Sequence, residues 1–123
     1  MIRRAGLVVV VALLAASVPA SAQRSVVLEA RTTGELADLC GVKPDTPRAD
    51  AAINFCHGFA QGAVKVALTE PKDRRPFCFP DPAPSRSATL SEFVGWVRAN
   101  PARRSVPVLE GLFQFLGERY PCK

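Results

Sequence analysis

Four cysteines that follow an N-terminal export signal are the feature that most constrains this chain. They are the only cysteines in the sequence, at positions Cys40, Cys56, Cys78 and Cys122. An exported chain reaches an oxidising compartment, where an even cysteine count is typical of disulfides rather than of metal or redox chemistry. We therefore predict a small domain held together by two disulfides.

The export signal occupies the first 22 residues. Arg3 and Arg4 supply positive charge, and residues 7–16 form an apolar run that is short for a membrane span. Residues 20–22, Ala-Ser-Ala, then match a small-residue cleavage site. We predict cleavage after Ala22, or two residues earlier as the alternative, and a periplasmic mature protein without a membrane contact. An uncleaved anchor is the competing interpretation, and the length of the apolar run argues against it.

The mature chain is long enough for one domain, which we place at residues 32–123, after a loose leader at residues 23–31. Loss of Arg3 and Arg4 lowers the formal charge from +5 to +3. This weak excess is not concentrated in a dense basic segment, and no aromatic residues are interleaved with it. Composition therefore argues against a nucleic-acid partner.

Apolar residues recur at helical spacing, and no segment alternates as a strand would, so we predict an all-α bundle of about four helices. The first helix begins at a capping box, Thr32–Glu35, and stops near Gly41. The second helix takes Asp45 or Thr46 as its cap and ends before Pro71. A proline-rich connection, in which helix and central strand are both disfavoured, then leads to the second half of the chain.

The third helix is predicted to begin at a second capping-box match, Thr89–Glu92, and to end at Asn100. Trp96 lies beside its apolar stripe, at the predicted edge of the core. The fourth helix is predicted from about Ser105 to Arg119. It contains Pro107, which a helix tolerates only in its first turn.

Two glycines on the second helix, Gly58 and Gly62, lie four residues apart and so on one side of it. Each costs about 1 kcal/mol relative to alanine in a helix interior. Close approach of another helix backbone would compensate this cost, and we predict such packing here. A weak helix that tolerates both glycines is the alternative.

Four cysteines allow three pairings, and the sequence alone does not select one. A short turn between helices three and four would make them antiparallel. The chain end would then return to the start of helix three, which favours Cys78–Cys122 and leaves Cys40–Cys56 to join helices one and two.

Residues that could carry catalysis are scarce, so we predict no enzyme activity, no cofactor and no metal site. The single histidine, His57, excludes a multi-histidine zinc site. It follows Cys56 directly, but neighbouring residues of a helix point to different faces. We therefore interpret His57 as an ordinary surface or half-buried residue.

Four ordered segments of the mature chain resemble the Rap1a/Tai family of immunity proteins. They are Gly34-Glu35-Leu36-x-x-Leu39-Cys40, Cys56-His57-Gly58-Phe59-x-x-Gly62, Phe77-Cys78-x-Pro80 and Tyr120-Pro121-Cys122. The resemblance implies a helical, disulfide-bonded periplasmic protein, often dimeric. It also implies a protein that binds a peptidoglycan amidase effector of type VI secretion and occludes its active-site cleft. Phe59 and Lys65 stand where the family often has tyrosine and an acidic residue, which argues against an already characterised amidase as the target.

For the partner-binding surface we select the charged loop of Lys72, Asp73, Arg74 and Arg75, because exposed loops on rigid scaffolds commonly carry recognition. A solvated connector is the alternative interpretation of this loop. For the whole protein, a small periplasmic stress or chaperone-like protein is the alternative function.

Overall fold

The computed structural model describes residues 27–123, and this part of the chain is all-α. Its four helices, α1 to α4, are Thr33–Cys40, Ala49–Ala67, Arg86–Ala99 and Val108–Arg119. Within the same range the only extended pairing is an isolated bridge between Thr32 and Pro107. The predicted all-α class and helix number are confirmed. The predicted signal peptide and residues 23–26 of the predicted leader lie outside the described residues.

Helix α1 is the centre of the fold, since α2, α3 and α4 all pack against it. Its predicted capping box is present: the Thr32 hydroxyl accepts from the Glu35 amide at 3.2 Å. The Glu35 carboxylate in turn accepts from the Thr32 amide at 3.0 Å and the Arg31 amide at 2.6 Å. These backbone hydrogen bonds, that of Arg31 first, hold the pKa of Glu35 below its ordinary value of 4.5.

The core lies where the four helices meet the middle of the proline-rich loop, residues 68–85, which joins α2 to α3. Its largest fully buried hydrophobic side chains are Leu36, Phe77, Phe93, Val97, Leu112 and Leu116. Phe77 comes from the loop rather than from a helix. Tilted aromatic contacts join it to Phe79 at 5.1 Å and to Phe113 at 5.9 Å between ring centroids. The loop is therefore part of the core rather than a detached connector.

Both disulfides have the predicted pairing. Cys40–Cys56 joins the end of α1 to α2, and Cys78–Cys122 joins the proline-rich loop to the chain end, with sequence separations of 16 and 44 residues. In the chain-entropy model, loops of these lengths correspond to about 3 and about 4 kcal/mol of stabilisation. No free cysteine is present among the described residues.

The start of α2 differs from the prediction. Neither Asp45 nor Thr46 caps it; the helix begins at Ala49, and the preceding residue, Arg48, adopts a left-handed conformation at φ 65° without a side-chain cap. The Thr46 amide donates to the Lys43 carbonyl, and the Ala49 amide donates to the Thr46 carbonyl. These turns occupy the residues that were predicted to begin the helix. A residue in the left-handed conformation changes the direction of the chain. A glycine would have indicated such a position in the sequence, whereas an arginine does not.

The predicted start of α3 at Thr89 is also wrong. Ser85 is the N-cap: its hydroxyl accepts from the Ala88 amide at 3.2 Å, and the helix begins at Arg86. Ser85 directly follows Pro84, the last proline of the loop, and is therefore the first residue at which a helix can be capped without a proline inside it. Thr89 lies inside α3, where its hydroxyl donates to the Ser85 carbonyl at 3.0 Å.

Helix α4 begins later than predicted because the connection before it forms a 3₁₀ turn, Pro101–Ser105. Pro107 is the N-cap of α4 rather than a residue of its first turn. The end of the predicted leader pairs here: the Arg31 carbonyl accepts from the Val108 amide at 3.0 Å, and Ala30 is buried. Contacts with the domain thus begin before Thr32.

The predicted close packing of another helix against Gly58 and Gly62 is not found in the described part of the chain, so this prediction is wrong. A Cβ placed on Gly58 or on Gly62 meets no atom within 4 Å, so no other helix approaches this face of α2. The close approach occurs instead at Gly111 of α4, where a Cβ would lie 1.9 Å from the Thr33 hydroxyl oxygen of α1. Gly111 is the position that allows α1 and α4 to pack together.

Candidate interaction surface

An apolar groove of about 400 Å³ separates the C-terminal half of α2 from α3, α4 and the proline-rich loop. Helix α2 packs chiefly on α1, and the groove lies between its C-terminal half and the helices α3 and α4. The groove is lined by Ala60, Gln61, Val64, Lys65, Leu68, Phe79, Pro84, Arg86, Thr89, Leu90, Leu112, Phe115 and Leu116.

The groove has a buried floor and partly exposed walls. Leu112, Phe115 and Leu116 of α4 form the floor and are only 2–3% exposed. Val64 and Leu68, one helical turn apart on α2, form one wall and are half-buried. An apolar concavity with such walls is the usual form of a recognition site for an apolar group.

The charged residues at the groove are all basic. Lys65 and Arg86 line it from opposite sides, and no aspartate or glutamate does. Both side chains are exposed, and neither forms an ion pair with another described residue. The rim thus presents two positive charges whose partners are solvent.

A second hollow, of about 550 Å³, adjoins the groove and shares Phe79 and Pro84 with it. It is lined by three further basic residues, Lys72, Arg119 and Lys123. Its one acidic residue, Glu92, already accepts from Arg119 Nε at 2.6 Å. The hollow therefore extends the positive surface of the groove towards the chain end.

The charged loop selected from the sequence has two different parts. Lys72, Asp73 and Arg74 form an exposed 3₁₀ turn, and Lys72 lines the hollow. Arg75 instead points inward: its guanidinium donates to the Glu70 carbonyl at 2.7 Å and to the Leu68 carbonyl at 3.0 Å. Arg75 thus satisfies carbonyls at the end of α2, a structural role that the sequence analysis did not assign.

Trp96 lies half-buried at the edge of the core, among the rings of Phe93 and Phe115. Its indole Nε1 donates to Glu118 at 2.8 Å. The Arg103 guanidinium carbon lies 3.9 Å from the centroid of the Trp96 ring. These contacts hold the indole in place, so its own role is in the contact between α3 and α4.

Within residues 27–123 neither a reactive Cys56–His57 pair nor a cluster of metal-ligating side chains is found. Cys56 is in a disulfide and 1% exposed, so it forms no nucleophile with His57, which is half-buried. No group of three or more metal-ligating side chains occurs in this range. None of its helices has the length and hydropathy that crossing a bilayer requires.

The groove was not predicted, although Val64 and Leu68 of its wall lie at i, i+4 spacing on α2. No sequence signal identifies the groove: Gly58 and Gly62 of the same helix do not line it, and their exposure is a property of the folded chain.

Comparison with known proteins gives one finding for this fold. The model of the family described as Rap1a immunity proteins matches residues 32–122. The match begins at the N-cap of α1 and ends at the last cysteine, so it includes all four helices and both disulfides. No curated protein sequence and no solved structure matches the chain.

Proposed function

The chain belongs to the Rap1a immunity protein family, and on that premise we propose that it is a periplasmic inhibitor of a cell-wall-degrading effector. The effector is a peptidoglycan amidase delivered by a neighbouring bacterium, and the inhibitor blocks it by binding. The observation that carries this proposal is the extent of the family match, which includes the entire helical domain.

An inhibitor of this kind needs a rigid surface and no reactive group. Two disulfides and a core that incorporates Phe77 supply the rigidity. A pre-organised surface loses little conformational freedom on binding, which favours affinity. The two disulfides also suit an oxidising compartment such as the periplasm.

The test is inhibition of purified enzymes. Oxidised protein comprising residues 23–123 is titrated into each peptidoglycan amidase effector of strains that compete with the source bacterium, and digestion of isolated sacculi is followed by turbidity. We expect one amidase to be inhibited at a stoichiometry near one site per enzyme, with the others unaffected. A titration in which every amidase keeps its full activity refutes the proposal.

The chaperone-like alternative is supported by one observation, the open apolar groove. It predicts suppression of aggregation of several unrelated acid-denatured proteins and no selective inhibition of an amidase. Running the aggregation assay beside the inhibition assay separates these functions, since selective stoichiometric inhibition and broad client protection are different outcomes.

A further inference from the structure

We propose that the groove and the adjoining hollow form one docking face, and that its occupant is an acidic segment of the effector with an apolar side chain inserted into the groove. The docking face is defined by the residues that line the two concavities, which share Phe79 and Pro84. This inference rests on the proposed function, because it names the surface and the partner chemistry for that same inhibition.

Charge complementarity selects the occupant. Five basic side chains line the docking face: Lys65, Lys72, Arg86, Arg119 and Lys123. Glu92 is the only acidic residue that lines it, and Arg119 already pairs with Glu92. A partner that brings carboxylates to this face gains attraction at the rim and a faster encounter, whereas a basic segment is repelled.

The apolar floor determines what lies at the centre of the contact. Leu112 and Leu116 are 2% exposed and line the groove from α4, and Val64 and Leu68 line it from α2. Such a floor offers apolar contacts but no charged side chain to an inserted group. An apolar side chain that displaces water from it would form the desolvated centre, and the basic rim would surround it, as in the common arrangement of protein interfaces.

Both walls of the groove are fixed before any partner arrives. The α2 wall is held by Cys40–Cys56 at one end and by the hydrogen bonds of Arg75 at the other. The opposite wall contains Phe79, which follows Cys78 of the second disulfide and contacts Tyr120 with 5.2 Å between ring centroids. A groove with fixed walls loses little entropy on binding, which suits a docking site.

The test uses two pairs of variants in residues 23–123, with the amidase that wild-type protein inhibits as the probe. Val64→Asp places a carboxylate in the groove wall, and Val66→Asp is its control on the same helix, because Val66 is 70% exposed and does not line the groove. Lys65→Glu with Arg86→Glu reverses the rim. Lys43→Glu with Arg98→Glu is its control, since both are exposed, lie outside the docking face and change the net charge equally.

We expect Val64→Asp to raise the dissociation constant about tenfold or more, since a carboxylate would enter the desolvated centre. The rim reversal should raise it about tenfold, mainly through slower association, and should weaken its dependence on salt. Both controls should stay within about twofold of wild type. Thermal unfolding of all four variants checks that each one is folded.

The two proposals fail in different ways. If wild type inhibits its amidase and the groove and rim variants inhibit it equally well, the docking face is refuted while the immunity function stands. If wild type inhibits no amidase, both proposals are refuted. If native mass spectrometry finds a fatty acid that Val64→Asp releases without a change in amidase affinity, the groove holds an amphiphile and the docking inference is overturned.

Discussion

The contact between α1 and α4 and the outer face of α2 both carry helical glycines, but these glycines have different surroundings. At Gly111 an added methyl group would overlap Thr33, a side chain with no solvent exposure. At Gly58 and Gly62 the same methyl group would enter open space. Identical residues thus mark a closed contact in one region and an uncovered surface in the other, and the uncovered helix is the one that borders the groove.

Substitution of the glycines tests this difference between the two regions and has the largest expected effect on stability. Gly111→Ala should lower the free energy of unfolding by about 2–3 kcal/mol, because the new Cβ overlaps Thr33 and displaces its hydroxyl from the carbonyls of Val106 and Pro107. Gly62→Ala should raise it by about 1 kcal/mol through helix propensity alone. Urea unfolding with the disulfides intact measures both.

A double variant tests the cause at Gly111. Removing the overlapping atoms with Thr33→Ala should make the loss in the Gly111→Ala, Thr33→Ala variant smaller than the sum of the two single losses. Strictly additive losses, or a Gly62→Ala variant as damaged as Gly111→Ala, would show that the two regions do not differ as described.

The two arginines of the charged loop, Arg74 and Arg75, differ in the same way, since one is exposed and the other bonds to the end of α2. Arg75→Ala should cost about 1–2 kcal/mol, since it leaves the carbonyls of Leu68 and Glu70 without their charged donor. Arg74→Ala should change stability by less than about 0.5 kcal/mol, because its exposed ion pair with Glu70 contributes little. Thermal or urea unfolding of the two variants measures both losses of stability. Equal losses for Arg74→Ala and Arg75→Ala would contradict the prediction.

The smallest expected effect concerns the capping box of α1. Because the pKa of Glu35 is lowered in the folded state, its contribution to stability is present above the ordinary value of 4.5 and is lost as the pH falls through the folded pKa. Glu35→Gln should therefore flatten the loss of stability below pH 4.5, with the two proteins converging in acid. Unfolding curves from pH 7 to pH 2 test this, and parallel curves would refute it.

Local signals predicted the first helix well and the later helix starts poorly. The Thr32–Glu35 capping box needs only residues that are adjacent in sequence, so its pattern was sufficient. The Thr89–Glu92 match has the same form, but Ser85 caps α3 earlier and Thr89 is buried near the Tyr120 hydroxyl. A capping motif does not indicate whether an earlier residue competes with it, and the end of the proline run decided the outcome.

The disulfide pairing was predictable because it follows from the order and direction of the helices. The groove was not, because it depends on which helix faces remain uncovered. Val64 at helical spacing looks like a core residue whether or not a neighbour covers it. The same limit applies to Arg75, whose inward hydrogen bonds depend on where α2 ends relative to the loop.

Trp96 is the only tryptophan of the chain. Its ring contacts the Arg103 guanidinium and the ring of Phe115, and Phe115 also lines the groove. The protein therefore contains an intrinsic fluorophore one aromatic contact away from the proposed docking face. Its emission reports the separation of α3 from α4 during unfolding. Because a group that enters the groove contacts Phe115, the same emission offers an unlabelled optical readout of occupancy.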